Sequence, residues 1–561
     1  MDGTQYFLSD FPVSSAPDNR NEYFPGKRSS SYRAVVNSMN IGWWVERWSD
    51  LHPDKPAILF EGDVITYSEL HKRVNRTGCW LQSLGIEKGD RVAAMMSNCP
   101  EFMELYLACS RLGALFVPIN FRMAAPEVDY TLRNCRPRFF VFGGEFSQEL
   151  AGLDLKNYLP PMQIGSVGRQ NLDPSILDYY KGGEKFEDRK PFLTGSTGPS
   201  DPEEPQVIMY TSGTTGEPKG AVLSHRKTFF NCLNADIFFK LHFDDIMLII
   251  LPLFHSGGLF IQASPILYKG ATMVIHPNFD SVKAFQDIER FRVTKFLGVP
   301  TIYRALLNVP PGKRGDLSSL KVSAIGGERT THELLVQCKE AGLPVRQIMG
   351  QTETSILLWA SEEASLAKPG TVGRPVFHAE VNLVGRDGIP VKPGEVGEIV
   401  VRGSIMMKEY WQDPLKTSET IRNGWLHTGD LARMDDEGYF YLVDRAKDMY
   451  ISGGENVYPA EVEKVLREHP GVEDVAIVGI PDDQWGETGH AFVIRKKGFE
   501  LQAEDLIEFC KGKIARYKWP KQISFVNSFP RTSLGKVRKA FLTGGTEPVE
   551  TELNPALKRA C

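Results

Sequence analysis

Tyr210-Thr-Ser-Gly-Thr-Thr-Gly-Glu-Pro-Lys-Gly220 is the stretch on which the reading of this 561-residue chain turns. It follows the apolar run Val207-Ile-Met209, which reads as a buried strand. Glycines let backbone N–H groups approach an anion closely, and hydroxyls and a lysine add further donors. A strand running into such a loop is built to hold phosphate. It is not a Walker A loop, because Gly220 and Ala221 follow Lys219 where that motif carries Lys-Ser/Thr. A Ser/Thr/Gly cluster on its own is ordinarily a surface turn, so the weight of the reading rests on what lies around it.

Outward from the loop, short apolar runs alternate with amphipathic stretches. Residues 54–60, Ile246–Leu251, Thr272–His276, Lys295–Val299, Val322–Ile325 and Val345–Met349 read as strands. Thr66–Leu84 and His332–Gly342 read as helices. Between two strands, Val282, Phe285, Ile288 and Phe291 recur three apart, the stripe of a helix over 281–293. Such alternation predicts an α/β protein with parallel sheets between helices. After about residue 376 the texture becomes β-rich, with strands at Glu380–Val384 and Glu398–Arg402 separated by turn signals. A last unit begins near Arg445, with a helix at Pro459–Glu468, a strand at Val475–Gly479 and a helix at Ala503–Lys511, a small α+β domain. The expected division is a polar arm over 1–38, a large domain over 39–444 and a small one over 445–561.

Composition narrows the function classes. Hydrophobic residues are 42% and charged residues 24%, ordinary for a globular protein, and the formal net charge of −5 argues against a nucleic-acid-binding surface. The longest apolar run, Ile246 to Phe254, is about half a membrane span. The N-terminus lacks the basic-then-apolar layout of a signal peptide. The eight cysteines contain no C-x-x-C pair, so buried, reduced thiols in a cytoplasmic protein are expected.

Three more stretches carry chemistry. Gly350-Gln-Thr-Glu353 follows the strand at 345–349, so Glu353 projects from a strand's C-terminal end, the edge where parallel sheets bind ligands. A carboxylate beside a triphosphate is a natural Mg²⁺ ligand. Trp425-Leu-His-Thr-Gly-Asp430 places an acceptor for ribose hydroxyls after a tight glycine turn, and Arg445 follows fifteen residues later. Lys536 lies in the basic segment Pro530-Arg-Thr-Ser-Leu-Gly-Lys536, a pattern that is ordinarily a solvated tail.

Taken in order, YTSGTTGEPKG, LPLFHSGG, MGQTET, GEIVVRG, WLHTGD, DRAKDMYISGGENVYPAEVE and PRTSLGKVRK resemble the adenylate-forming superfamily, which includes acyl-CoA synthetases, luciferases and peptide-synthetase adenylation domains. The resemblance runs from about residue 40 to 540. It implies a large N-terminal domain of two α/β sheet subdomains and a β-rich subdomain, with a small mobile α+β C-terminal domain. It further implies ATP, Mg²⁺, CoA and a small carboxylic acid as ligands. Thr211, Ser212, Gly213, Thr214, Thr215, Gly216 and Lys219 would wrap the β- and γ-phosphates, and Thr352 would touch the α-phosphate. Glu353, with Thr211, would hold Mg²⁺. Gln347, Met349, Gly350, Gly327 and Glu328 would frame the adenine, and Asp430 and Arg445 would bind ribose. Lys536 would contact the acyl carboxylate and α-phosphate. Lys447 takes the hinge position, and Gly453 and Gly454 border the pantetheine tunnel. His255, Gly257 and Gly326 would face the acyl group.

Two positions depart from the family pattern. Met349 stands where an aromatic residue usually stacks on adenine, and a thioether can still pack on a ring face. Asp444 replaces the usual glycine before Arg445; nothing in the sequence explains it. His255 occupies the region where amino-acid-activating relatives carry an aspartate for the substrate ammonium, so an acid without an α-amino group is expected. That leaves a medium-sized apolar acid, linear, cyclic or aromatic, as substrate of an AMP-forming acyl-CoA synthetase. An enzyme loading a carrier protein and a luciferase-like oxygenase are the alternatives.

Overall fold

The computed structural model describes residues 39–155, 158, 162–168, 176–184, 186, 201–211, 218–327, 330–385, 387–445, 450–457, 459–529, 537, 539, 542 and 550–553. The arm expected over 1–38 and the hinge expected at Lys447 lie outside them.

Three sheets organise the described residues. In the largest, the strands Thr272–Ile275, Ile246–Ile249, Lys295–Gly298, Val322–Ile325 and Val345–Gln351 run parallel side by side. The last of these turns back into Ser355–Ala360, which pairs with Thr371–Pro375. From there the sheet continues through Phe440–Arg445 and Trp425–Met434 to Val396–Arg402 and Glu380–Val384. The β-rich unit expected after residue 376 is therefore an antiparallel extension of the parallel sheet, hydrogen-bonded to it through Thr371–Pro375. A second, eight-stranded sheet centres on parallel strands Leu115–Pro118, Arg91–Met95 and Phe139–Gly143. It carries Pro205–Thr211 beside Leu115–Pro118, and Lys219–Ser224 antiparallel to Pro205–Thr211. One continuous apolar core joins these two sheets. The third sheet, with helices Pro459–Arg467 and Ala503–Cys510, has its own core and forms the small C-terminal domain.

Local chemistry sets the helix ends. Tyr67–Ser83 starts where the Thr66 hydroxyl accepts from the Glu69 N–H, and Ser281–Phe291 where the Asp280 carboxylate accepts from Lys283 N–H. Each such cap contributes about 1 kcal/mol. Ala125–Cys135 begins with the Ala124 N–H donating to Glu127 Oε2 at 2.8 Å, the carboxylate reaching back over the first turn.

Two expectations need correction. The buried face of Ser281–Phe291 is Ala284, Phe285, Asp287 and Ile288, and Val282 points to solvent because it sits in the first turn on the far edge of the stripe. Asp430 does not follow a free turn. It lies inside the ten-residue strand Trp425–Met434, where Gly429 at φ +76° interrupts the ladder without ending it. The run Ile356–Leu358 is buried strand, with Ser355 alone of that strand reaching the cavity described below. Among the described residues no helix is long and apolar enough to cross a membrane. The seven described cysteines form no disulfide with one another, and six of them are buried.

Candidate active site

Both large sheets deliver their strand ends to one cavity of about 1460 Å³. Thr211 closes its strand and Lys219 opens the next, and the two are register partners across the antiparallel pair. Glu353 and Thr352 stand just past the end of Val345–Gln351. Gly350 in that strand tolerates no side chain, since a Cβ there would sit 1.7 Å from the Ser355 carbonyl oxygen. The tight return this permits is what carries Thr352 and Glu353 to the cavity wall. Asp430 and Arg445 are opposite partners between Trp425–Met434 and Phe440–Arg445.

Thr211, Lys219, Thr352 and Glu353 thus share the cavity with Asp430. Gln347, Met349, Gly350, Gly326 and Gly327 line its middle. His255 and Gly257 lie at the start of a π-helical turn, Gly257–Ala263, which tilts both onto the wall. His255 Nδ1 accepts from the Gly257 N–H at 3.3 Å, so the ring is tied to its own loop. Gly453 and Gly454, from the C-terminal domain, complete the rim. Both have positive φ, and a Cβ on Gly453 would strike the Trp485 ring at 2.5 Å. Ser212, Gly213, Thr214, Thr215, Gly216, Glu328, Lys447, Lys536 and the side chain of Arg445 lie outside the described residues.

The electrostatics centre on Glu353. Its carboxylate is buried, and burial raises its pKa. Tyr410 Oη donates to Oε1 at 2.8 Å, and the Glu353 backbone oxygen accepts from Met407 N–H at 2.6 Å. Nearby, Lys227 is fully enclosed and donates to Ser355 Oγ, while Ser355 holds φ at +57°. Burial drives the Lys227 ammonium down to about 7, opposed by the Glu353 charge. Asp430 is held from behind: its N–H donates to Thr428 Oγ1 at 3.1 Å, and Glu398 accepts from Gly429 N–H at 2.9 Å and pairs with His427 at 2.8 Å. Tyr410, Lys227 and Glu398 were not among the expected site residues. They come from positions 29–128 residues away from their partners, and no local motif marks them.

Ile250, Leu251, Ile261, Leu297, Val299 and Ile302 add apolar surface to the cavity lining, which also carries polar groups such as Asn98, Arg122 and Asn278. The lining of this one cavity thus combines hydroxyl-bearing residues, glycines and apolar side chains.

Residues 45–411 match the family model described as AMP-binding enzyme, and residues 461–536 match its C-terminal domain. The chain belongs to the AMP-binding enzyme family. It is 38% identical over 505 residues to a feruloyl-CoA synthase of an Amycolatopsis species, covering 90% of this chain and 98% of that one. An indoleacetate–CoA ligase of Aromatoleum aromaticum is 38% identical over 513 residues, covering 89% and 97%. Among solved structures, a double mutant of o-succinylbenzoate CoA synthetase from Bacillus subtilis, bound with a product analogue, superimposes with a TM-score of 0.80 at 30% identity, covering 91% of this chain and 99% of that one. The same enzyme in complex with its acyl-adenylate intermediate gives 0.65, also at 30% identity, with 90% and 98% covered. The adenylate-forming fold and the class of activity, an acid–thiol ligase of the acyl-CoA synthetase kind, follow from this family and these relatives.

Proposed function

We propose that this chain activates an aryl or arylalkyl carboxylic acid with ATP and transfers the acyl group to CoA. The observation that carries the substrate class is the set of apolar side chains in the cavity lining, Ile250, Leu251, Ile261, Leu297, Val299 and Ile302, with His255 where an amine-binding anion would otherwise stand. The names of the feruloyl and indoleacetate relatives point the same way.

A carboxylate is a poor acyl donor because oxide is its leaving group. Attack of its oxygen on the α-phosphorus forms the acyl-adenylate and expels pyrophosphate. Thr211, Lys219 and Thr352 orient the polyphosphate, together with the loop from Ser212 to Gly216. Asp430 accepts from the ribose hydroxyls, and Arg445 faces it across the strand pair. Lys536 neutralises charge where the carboxylate meets the α-phosphate. These groups work by positioning and charge stabilisation. CoA sulfur then attacks the acyl carbonyl, and AMP leaves carrying the former carboxylate oxygen.

Glu353 suits Mg²⁺: it is one hard carboxylate, buried at elevated pKa, with Tyr410 fixing the carboxylate from one side. Mg²⁺ keeps waters and phosphate oxygens in its shell and needs few protein ligands. Among the described residues no group of three or more His, Cys, Asp or Glu gathers to hold a metal by itself. When bound, the ion would supply charge neutralisation at the polyphosphate, with Glu353 and Thr211 as its protein oxygens.

We further infer that the C-terminal domain, starting near Arg445 and turning about Lys447, stands in the CoA-facing pose. The better superposition on the relative with the product analogue than on the same relative with its acyl-adenylate supports this. The test is AMP and acyl-CoA formation across a panel of linear, cyclic and aromatic acids, with and without CoA. Aryl acids should give the highest kcat/KM and CoA-dependent AMP release. Preference for linear fatty acids would overturn the substrate class, and acyl transfer only to a carrier protein would overturn the acceptor.

A further inference from the structure

Lys518, in the C-terminal domain, is almost wholly buried, with 1% of its side chain exposed. Its ammonium meets two carboxylates. Glu461, 2.5 Å away, belongs to its own domain, and Glu127 belongs to the helix Ala125–Cys135 of the large domain. Glu127 Oε2 also accepts from the Ala515 N–H at 3.1 Å, so one carboxylate fixes both the side chain and the backbone of the segment Ala515–Lys518. Tyr517 packs against the ammonium, its ring centroid 5.6 Å from Nζ. A second contact between the domains, Arg122 to Glu455 at 3.0 Å, involves an arginine 43% exposed, so screening leaves it weak.

Each member of the buried contact keeps a partner when the domains part. Glu127 still accepts from the Ala124 N–H at 2.8 Å, and Lys518 still has Glu461. Breaking a buried ion pair ordinarily leaves an uncompensated charge; here neither charge is left alone, which keeps separation affordable. Burial raises the Glu461 pKa, Lys518 opposes the rise and the neighbouring Glu127 adds to it, so the two carboxylates compete for one ammonium. The docked pose is the one that places Gly453 and Gly454 on the cavity rim.

We propose that Glu127 is a positioning residue for thioester formation: through Lys518 and Ala515 it holds the C-terminal domain in the pose that CoA transfer requires. This rests on the reading of the chain as an acyl-CoA synthetase. Glu127→Gln keeps the helix cap and the acceptor for Ala515 while removing the charge. Two half-reactions are measured separately: ATP–pyrophosphate exchange for adenylation, and single-turnover acyl-CoA formation from supplied acyl-adenylate. Glu127→Gln should slow the second by about tenfold or more and leave the first unchanged or faster, because the docked population falls. Lys518→Met should show the same split, and the double variant should be no worse than either single one. Glu461→Gln, which removes only the partner within the domain, should change both half-reactions less than about twofold. Equal slowing of both half-reactions by Glu127→Gln, or equal effects of Glu127→Gln and Glu461→Gln, would overturn the proposal. If the unmodified protein forms acyl-AMP and no acyl-CoA, the functional reading itself fails, and that result is distinct from an altered split between variants.

Discussion

The two sides of the cavity are built by different means. On the large-domain side, Thr211 ends a strand, Glu353 stands just past one and Asp430 lies inside one, so backbone ladders fix them or their immediate neighbours. On the C-terminal side, Gly453 and Gly454 reach the same cavity from a separate core, and the contacts between domains named above are two ion pairs and one backbone N–H donated to the Glu127 carboxylate. A ladder is cooperative and does not let go; an ion pair with spare partners does. The proposed chemistry would divide along the same line, with phosphate held by what is rigid and the thiol path formed by what can move away.

The comparison can be broken first at the residue shared by neither wall in turn. Lys536→Ala should lower adenylation by about 10²–10³-fold, while acyl-CoA formation from supplied acyl-adenylate stays largely intact. Equal loss in both steps would contradict the division of labour. On the rigid wall, Glu353→Gln should lower adenylation by about 10²-fold and raise the Mg²⁺ concentration needed for half-maximal nucleotide binding, read by fluorescent-nucleotide titration. Tyr410→Phe removes one hydrogen bond to that carboxylate, and a loss of about three- to tenfold in adenylation with unchanged thioester formation is expected.

A smaller effect tests the burial beneath Glu353. The Lys227 ammonium has a pKa near 7 in the fold against 10.5 for an unperturbed lysine. The unfolded chain therefore binds more protons between those values, and stability rises with pH across that window. Below about 7 both states are charged and the burial cost is fully present. Lys227→Met should be stabilised relative to the parent by a few degrees at pH 7, and the gap in Tm should shrink towards pH 10. A gap that widens with pH would remove the account of this lysine.

Much of the fold was legible because its signals are local. The strands around Ile246, Lys295, Val322 and Val345 and the helices over 281–293 and 332–342 declare themselves by apolar runs and capping residues, and the structure places them within three residues of expectation, while Pro300–Leu307 was not anticipated. The residues of the YTSGTTGEPKG, MGQTET and WLHTGD stretches could be expected together only through their order along the chain; the structure brings Thr211, Glu353 and Asp430 from them to one cavity. What escaped the sequence is tertiary. Tyr410 meets Glu353 across 57 positions, and Lys518 meets Glu127 across 391. Neither side of such a pair has a periodicity or a neighbour to announce it. Val282 misled because a three-residue spacing describes the stripe but not where the stripe's edge meets solvent.

The central claim is that the acid's own oxygen attacks the α-phosphorus and departs with AMP. Supplying an arylalkenoic acid whose carboxylate carries heavy oxygen, with ATP and CoA, and weighing the nucleotide product tests it directly. One heavy oxygen in AMP, with none in pyrophosphate, is the predicted result. Heavy oxygen in inorganic phosphate, accompanied by ADP, would contradict it.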